Sequence, residues 1–471
     1  MNEQRKKVED IVKKVQKQEH IKFTKTDQAD RIVMHPIFGI LIFALIMVGV
    51  FVISQTVIGP WIADILTVKV IGSFSTLVEK ALVSLDTSTF ISGLVLEGII
   101  GGFAAVIGFL PLIMVLFFLL QLLEDSGYMA RVAIVMDRFF KPIGLAGKSI
   151  IPMYVGTACS IPAIMSSRTI KNEKQRKLTV FLTPFIPCGA KLPVIALFIT
   201  VFFGGSGFMT GLTYFLAIVV ILLSGYLIRF ILNADKNDKA FDAYSFIELP
   251  DYGWPSFKRA FKVMLDQAWD FTKKAATIII LMNGIVWIAA NFSWSFEMVD
   301  PSQSILKTLA QPIAFILTPI GIGVWGLAAA SILGFIAKEE VVGALAVIFA
   351  FSITDDLGVE NVQLTHDILF TTGGLTAVSA YAFMAFNLFT PPCFAAIGAM
   401  KTELNSRKLT LLAVLFQLFI GYMVAMVIYQ VGTLIVYQQL GSGFIYSIII
   451  LGIVIAAFVA VKIKRMRVIH G

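Results

Sequence analysis

Long apolar runs separated by short polar joints occupy almost the whole chain. Runs at about 37–59, 90–123, 178–202, 209–232, 275–292, 304–337, 371–391, 409–437 and 444–461 each approach or exceed the ~20 residues a helix needs to cross a bilayer. The pattern predicts an all-α, polytopic helical membrane protein. Residues 1–31 are instead a charged preface, in which Val8, Ile11, Val12 and Val15 recur at helical spacing with Glu9 four residues ahead of Lys13. That spacing predicts a short amphipathic helix on the membrane surface or on a partner. Residues 61–89 read as a second amphipathic segment, and 234–273 as a mixed-charge loop.

Charge between the runs gives the orientation. Basic residues cluster at Arg131, Arg138, Lys141 and Lys148, and again at Arg168, Lys171, Lys174, Arg176 and Lys177, which marks both stretches as cytoplasmic. The apolar stretch between them holds Pro152, Gly156, Cys159 and Pro162, and a re-entrant hairpin fits two flanks on one side better than a span does. Residues 353–369 carry Asp355, Asp356, Glu360 and Asp367 without a single Lys or Arg, so they are expected outside. The last run ends at Lys462, Lys464, Arg465 and Arg467, and both termini are expected in the cytoplasm.

Composition agrees with this class. Hydrophobic residues make up 58% of the chain and charged ones 14%, with a mean hydropathy of +0.86; a soluble chain carries about 25% charge. The net charge of +8 is spread over the joints, and no basic, aromatic-rich soluble unit is present to hold nucleic acid. Three cysteines, none in a long polar loop, argue against a disulfide framework. No nucleophile–base pair stands out, so an enzyme is not expected.

The candidate chemistry lies at the cysteines. Each sits near a proline within an apolar segment: Gly156-Thr-Ala-Cys159-Ser-Ile-Pro162, Pro187-Cys188-Gly-Ala-Lys191-Leu-Pro193 and Pro391-Pro392-Cys393. Proline frees backbone carbonyls, which membranes tolerate only where protein or a watery cavity surrounds them. Thiols at such breaks suit a path for a transition-metal ion. Cys159, Cys188 and Cys393 are therefore the first candidate ligands. Glu97, Glu124, Asp125 and Glu339 are second, because an intramembrane carboxylate usually faces the bundle interior. Glu124 and Asp125 could instead pair with Arg131 or Lys148, and Lys338 with Glu339. Met129, Met153 and Met165 read as core filler, and none of His20, His35, His366 and His470 falls in an expected span, which argues against a histidine cage.

Polar landmarks recur. Leu123-Glu124-Asp125, Cys159, Pro162-Ala-Ile164, Arg168 and Arg176-Lys-Leu-Thr179 are followed in the same order by Ala337-Lys338-Glu339, Cys393, Ala395-Ala-Ile397, Lys401 and Arg407-Lys-Leu-Thr410. Internal repeats with broken helices meeting near the midplane are how many transporters build a site reachable from either side.

Glu124-Asp-Ser-Gly-Tyr-Met-Ala-Arg131, Gly147-Lys148, the segment from Cys159 to Arg168, Pro184-x-x-x-Cys188-x-Ala-Lys-Leu-Pro-Val194, Glu248-Leu-Pro-x-Tyr252, Gly334-Phe-x-Ala-Lys-Glu339 and Pro392-Cys393 occur in this order. In these motifs the chain resembles the ferrous iron transport protein B (FeoB) family from about residue 22 to about 437, over two Gate-like repeats. The resemblance implies Fe(II) as transported substrate, uptake across a bacterial inner membrane, and thiols at Cys159, Cys188 and Cys393 along the ion path. Members of that family normally begin with a GTP-binding domain and a helical linker, and Met1 falls about where that linker would end. Here no Gly-x-x-x-x-Gly-Lys-Ser/Thr run exists: Gly147-Lys148-Ser149 comes nearest, but Pro142 stands where the first glycine belongs. No nucleotide site is expected in the chain, and a separate G protein docking on residues 1–31 is the candidate partner besides lipid.

The expected divisions are 1–31, a linker helix; 32–89, the first span and amphipathic segment; 90–233, a first Gate-like repeat; 234–303, a loop and connecting span; 304–437, a second Gate-like repeat; and 438–471, a last span and basic tail. An oligomer is compatible with the sequence. Two other functions compete with this one. Gate-type regions also occur in proteins associated with nucleosides, but a nucleoside or other organic-solute carrier would need aromatic and amide side chains converging where the breaks offer thiols. A non-transporting scaffold for a GTPase would need only residues 1–31.

Overall fold

A computed structural model of the chain describes residues 25–35, 37–85, 89–140, 147–231, 252–273, 277–295, 297–299, 303–336, 338–349 and 362–453. The first 24 residues of the charged preface, with their apolar stripe, lie outside the described residues, as do most of the acidic stretch and the basic tail. Regular structure among the described residues is helical, apart from one isolated bridge between Phe292 and Met298. Six helices among them are long and apolar enough to span: Phe38–Ser84, Phe90–Asp125, Glu173–Phe203, Gly207–Ile228, Ala377–Leu404 and Arg407–Tyr437. A seventh is added if Ile305–Ile320 and Trp325–Ile336, bent by 98°, count as one span.

Several boundaries differ from expectation, each for a local reason. The first span does not stop near residue 59. It runs on through the amphipathic segment as one 47-residue helix, roughly 70 Å long at 1.5 Å per residue, with wide turns at Ile53–Val57 and Ile65–Ile71. The apolar run 304–337 is not one rod, because Thr318-Pro319-Ile320 tightens into a 3₁₀ turn and Gly321 takes φ +79°, a conformation that costs other residues a Cβ clash. Within the expected loop 234–273, Phe257–Phe271 is a helix capped by the Ser256 side chain. His366, in the acidic stretch expected outside, lies on the helix Val362–Thr371, its ring beside Phe202 and Phe370.

The stretch expected to re-enter is a pair of short helices, Ile150–Ala158 and Ser160–Ser166, hinged at Cys159 and packed on each other. Their lengths of about 14 and 10 Å are too short to cross hydrocarbon. Asn172 then caps Glu173–Leu182 by accepting from the backbone N–H of Lys174 and Gln175. In the later stretch, Ala377–Phe389, a break and Phe394–Leu404 precede Ser406, which caps Arg407–Tyr437 in the same way.

One apolar core joins these two stretches, running from Met153, Ile164 and Phe185 to Leu345, Phe389 and Met426. The front of the molecule leans on it through a small cluster around Tyr128, Met129, Val132 and Ile150. There the fully buried Arg131 is held by Asp30 at 2.6 Å, by the Gly127 carbonyl at 2.9 Å and under the Tyr252 ring.

Candidate functional site

Four helix breaks meet inside the core. At the first, Cys159 leaves helical geometry (φ −152°, ψ 131°) between two helices while its N–H still reaches the Val155 carbonyl. At the second, Pro184 and Pro187 stop the helix that begins at Glu173, and Cys188 (φ −95°, ψ 167°) precedes the turn Gly189–Lys191 from which Leu192–Phe203 departs. At the third, Thr390-Pro391-Pro392 ends Ala377–Phe389, and the Cys393 carbonyl accepts the first N–H groups of the next helix, from Ala396 and Ile397. The fourth is the Lys338-Glu339 joint between Trp325–Ile336 and Glu340–Phe349.

All three thiols are free; Cys159 and Cys188 are buried and Cys393 is half-buried. Cys159 lies near enough to Cys188, Cys393 and Glu339 to interact with them electrostatically. No three His, Cys, Asp or Glu side chains among the described residues are gathered closely enough to hold a metal ion together. The structure therefore brings the thiols and Glu339 into one neighbourhood without forming a coordination shell.

The other carboxylates stand elsewhere. Asp125 meets Arg259 at 3.3 Å and the Gln121 amide at 3.0 Å rather than Arg131 or Lys148, since Arg131 is taken by Asp30. Glu124 is exposed at the same helix end. The side chain of Glu97 lies outside the described residues.

Two lysines are the residues that sequence reasoning undervalues. An α-helical carbonyl is served by the N–H four residues on, which proline lacks, so Pro391 and Pro392 leave the carbonyls of Asn387 and Leu388 without helical donors. The Thr390 hydroxyl donates to Asn387 O at 3.4 Å, and the Lys191 ammonium to Leu388 O at 2.6 Å and to Pro184 O at 2.8 Å. Lys338, expected to pair with Glu339, instead donates to the Thr390 hydroxyl at 3.0 Å. The sequence does carry a signal: a lysine three residues after a Pro-Cys break inside an apolar run is too costly to leave without acceptors.

These features define a polytopic helical membrane protein in which two stretches of broken helices share one core. The family described as "Gate: Nucleoside recognition" matches residues 106–202 and 272–407. The Fe(2+) transporter FeoB of Staphylococcus aureus strain MSSA476 is 37% identical over 413 residues, which is 87% of this chain and 60% of that protein. The Fe(2+) transporter FeoB of Methanocaldococcus jannaschii is 33% identical over 92% of this chain and 63% of its own length, and that of Campylobacter jejuni 33% over 85% and 64%. Together these matches support one assignment: the chain is a FeoB-type membrane portion. It spans 60% to 64% of the length of these curated relatives. No solved structure matches it.

Proposed function

We propose that the chain carries Fe(II) across the bacterial inner membrane into the cytoplasm. The observation that carries this reading is that three free thiols, each from a different helix break, lie within electrostatic reach of one another. The relatives bear the name Fe(2+) transporter, and none of the contacts at the breaks favours a nucleoside carrier or a scaffold. Fe(II) is borderline in softness, and N, O and S sites prefer Zn and Cu over it, so a passing site works best when it is weak. Thiols handed along in sequence, rather than closed around an ion, suit conduction, which needs binding loose enough to release.

Two finer points belong to the same proposal. Orientation with 168–177 and 401–408 in the cytoplasm is supported by their basic residues, and the ion pair between Arg168 and Glu403 keeps both joints on one face. A separate G protein acting through residues 1–31 would supply nucleotide chemistry, the Arg131–Asp30 contact being the point where the described part of that segment grips the membrane portion.

Vesicles loaded with an iron-sensitive dye test the transport. Serine is close to cysteine in size but a poorer ligand for a soft ion, so Cys159→Ser, Cys188→Ser and Cys393→Ser combined should lower Fe(II) flux by about tenfold or more at unchanged folded yield. Unchanged flux in a folded triple variant would remove the thiols from the path.

A further inference from the structure

Lys191 and Lys338, each 2% exposed, set two lysine side chains beside the thiols. Positive charge is an odd lining for a path that passes cations, and at this depth it persists only with good partners. The partners of Lys191 are informative. Pro184 O belongs to one Gate stretch and Leu388 O to the other, and Leu388 O lies in the last helical turn, where the chain turns extended at Thr390 and Pro392 has no N–H to give it. Backbone carbonyls freed in this way are the oxygen ligands with which membrane proteins hold passing cations. Here the seat is filled by an ammonium that the chain itself supplies.

A second seat lies close by. Lys191, Lys338 and Asn387 line one small cavity together with Val194, Met384 and Leu388. The Asn387 side chain is 3% exposed; its Nδ2 donates to the Phe383 carbonyl at 3.0 Å, while its Oδ1, an acceptor, has no partner. Lys338 stays engaged by the Thr390 hydroxyl.

Resting on the permease reading above, we propose that Lys191 is a tethered cation that latches the two Gate stretches together. In the closed state its ammonium occupies the Pro184 and Leu388 carbonyls. A divalent ion opens the path by displacing it, and the ammonium swings across the shared cavity to Asn387 Oδ1. Lys191 is thus a positioning and gating residue rather than a metal ligand.

The test uses the full chain in vesicles without nucleotide, reading Co(II) entry by calcein quenching and K⁺ release by a K⁺ dye. Lys191→Met should raise both leaks by roughly tenfold or more, the scale set by one lost charge-assisted hydrogen bond. Asn387→Leu, which removes the second seat, should move the other way and lower both the leak and the ion-driven flux. If Lys191→Met does not fold, Pro392→Ala offers Leu388 O a backbone donor that competes with the ammonium, and the same rise is expected. A folded Lys191→Met or Pro392→Ala protein as tight as the parent overturns the latch. The two proposals fail separately. A leaky Lys191→Met protein whose parent moves no Fe(II) keeps the latch and sinks the iron reading, whereas an iron-carrying parent with a tight Lys191→Met variant does the reverse.

Discussion

Glu173–Phe203 and Arg407–Tyr437 are both 31 residues long and both carry Arg-Lys-Leu-Thr in their first two turns, at Arg176–Thr179 and Arg407–Thr410. Aligned on that tetrapeptide, Pro184 stands opposite Leu415. The first span is broken at Pro184–Lys191, whereas the second is unbroken helix. The most apolar window of the first is 67% buried, that of the second 28%. The difference teaches where a membrane helix can break. Freed carbonyls survive only where protein brings donors to them, and the inner span has Lys191 for Pro184 O. The outer span presents Leu411, Leu412 and Leu415 outward, with no donor to offer a break.

Moving the break to the outer span is the harshest test of this contrast. Leu415→Pro removes the N–H serving the Leu411 carbonyl on a turn whose side chains are 60% and 54% exposed. The expected loss is about 3 kcal/mol or more, with folded yield collapsing in detergent melting and size-exclusion assays. Pro184→Leu, in the enclosed span, should cost less than half as much. Equal losses would mean that enclosure is not what permits the break.

A milder perturbation probes how the outer span abuts the third break. A Cβ on Gly421 would stand 2.9 Å from the Thr390 nitrogen and 3.0 Å from the Phe389 carbonyl carbon, backbone atoms with little room to retreat. Gly421→Ala should lower stability by about 1–3 kcal/mol through overpacking. Gly49→Ala, where a Cβ meets nothing within 4 Å, should instead gain up to ~1 kcal/mol from helix propensity. Melting shifts of the same sign would show that the close approach at Gly421 does not constrain the break.

Much of this arrangement is legible in sequence because its causes are local. Apolar length marks the spans, and Pro184, Pro187, Pro391 and Pro392 mark two of the breaks by residue type alone. What proline cannot reveal is who covers the carbonyl it frees. Lys191 finds Leu388 nearly two hundred positions away, Asp125 finds Arg259 rather than a near neighbour, and Lys338 turns from adjacent Glu339 to Thr390. These pairings follow from how the two stretches dock. The 47-residue first helix is hard to read for the opposite reason: polar residues within it look like an end, but wide turns carry the helix through them.

The smallest effect expected concerns the tie between the two cysteine-led short helices. Ser160–Ser166 starts directly after Cys159 and Phe394–Leu404 directly after Cys393. At their far ends, Arg168 Nε meets Glu403 Oε1 at 2.6 Å. Glu403 is nearly buried, but Arg168 is more than half exposed, so water and salt weaken the pair. A double-mutant cycle with Arg168→Gln and Glu403→Gln should give a coupling of about 0.5–1 kcal/mol that shrinks as salt is raised. Because apolar contacts in the shared core already set the spacing of the two helices, Fe(II) flux in Arg168→Gln should change by less than about twofold. A flux loss comparable to that of the cysteine variants would make this surface tie, rather than the enclosed core, the element that aligns the thiols.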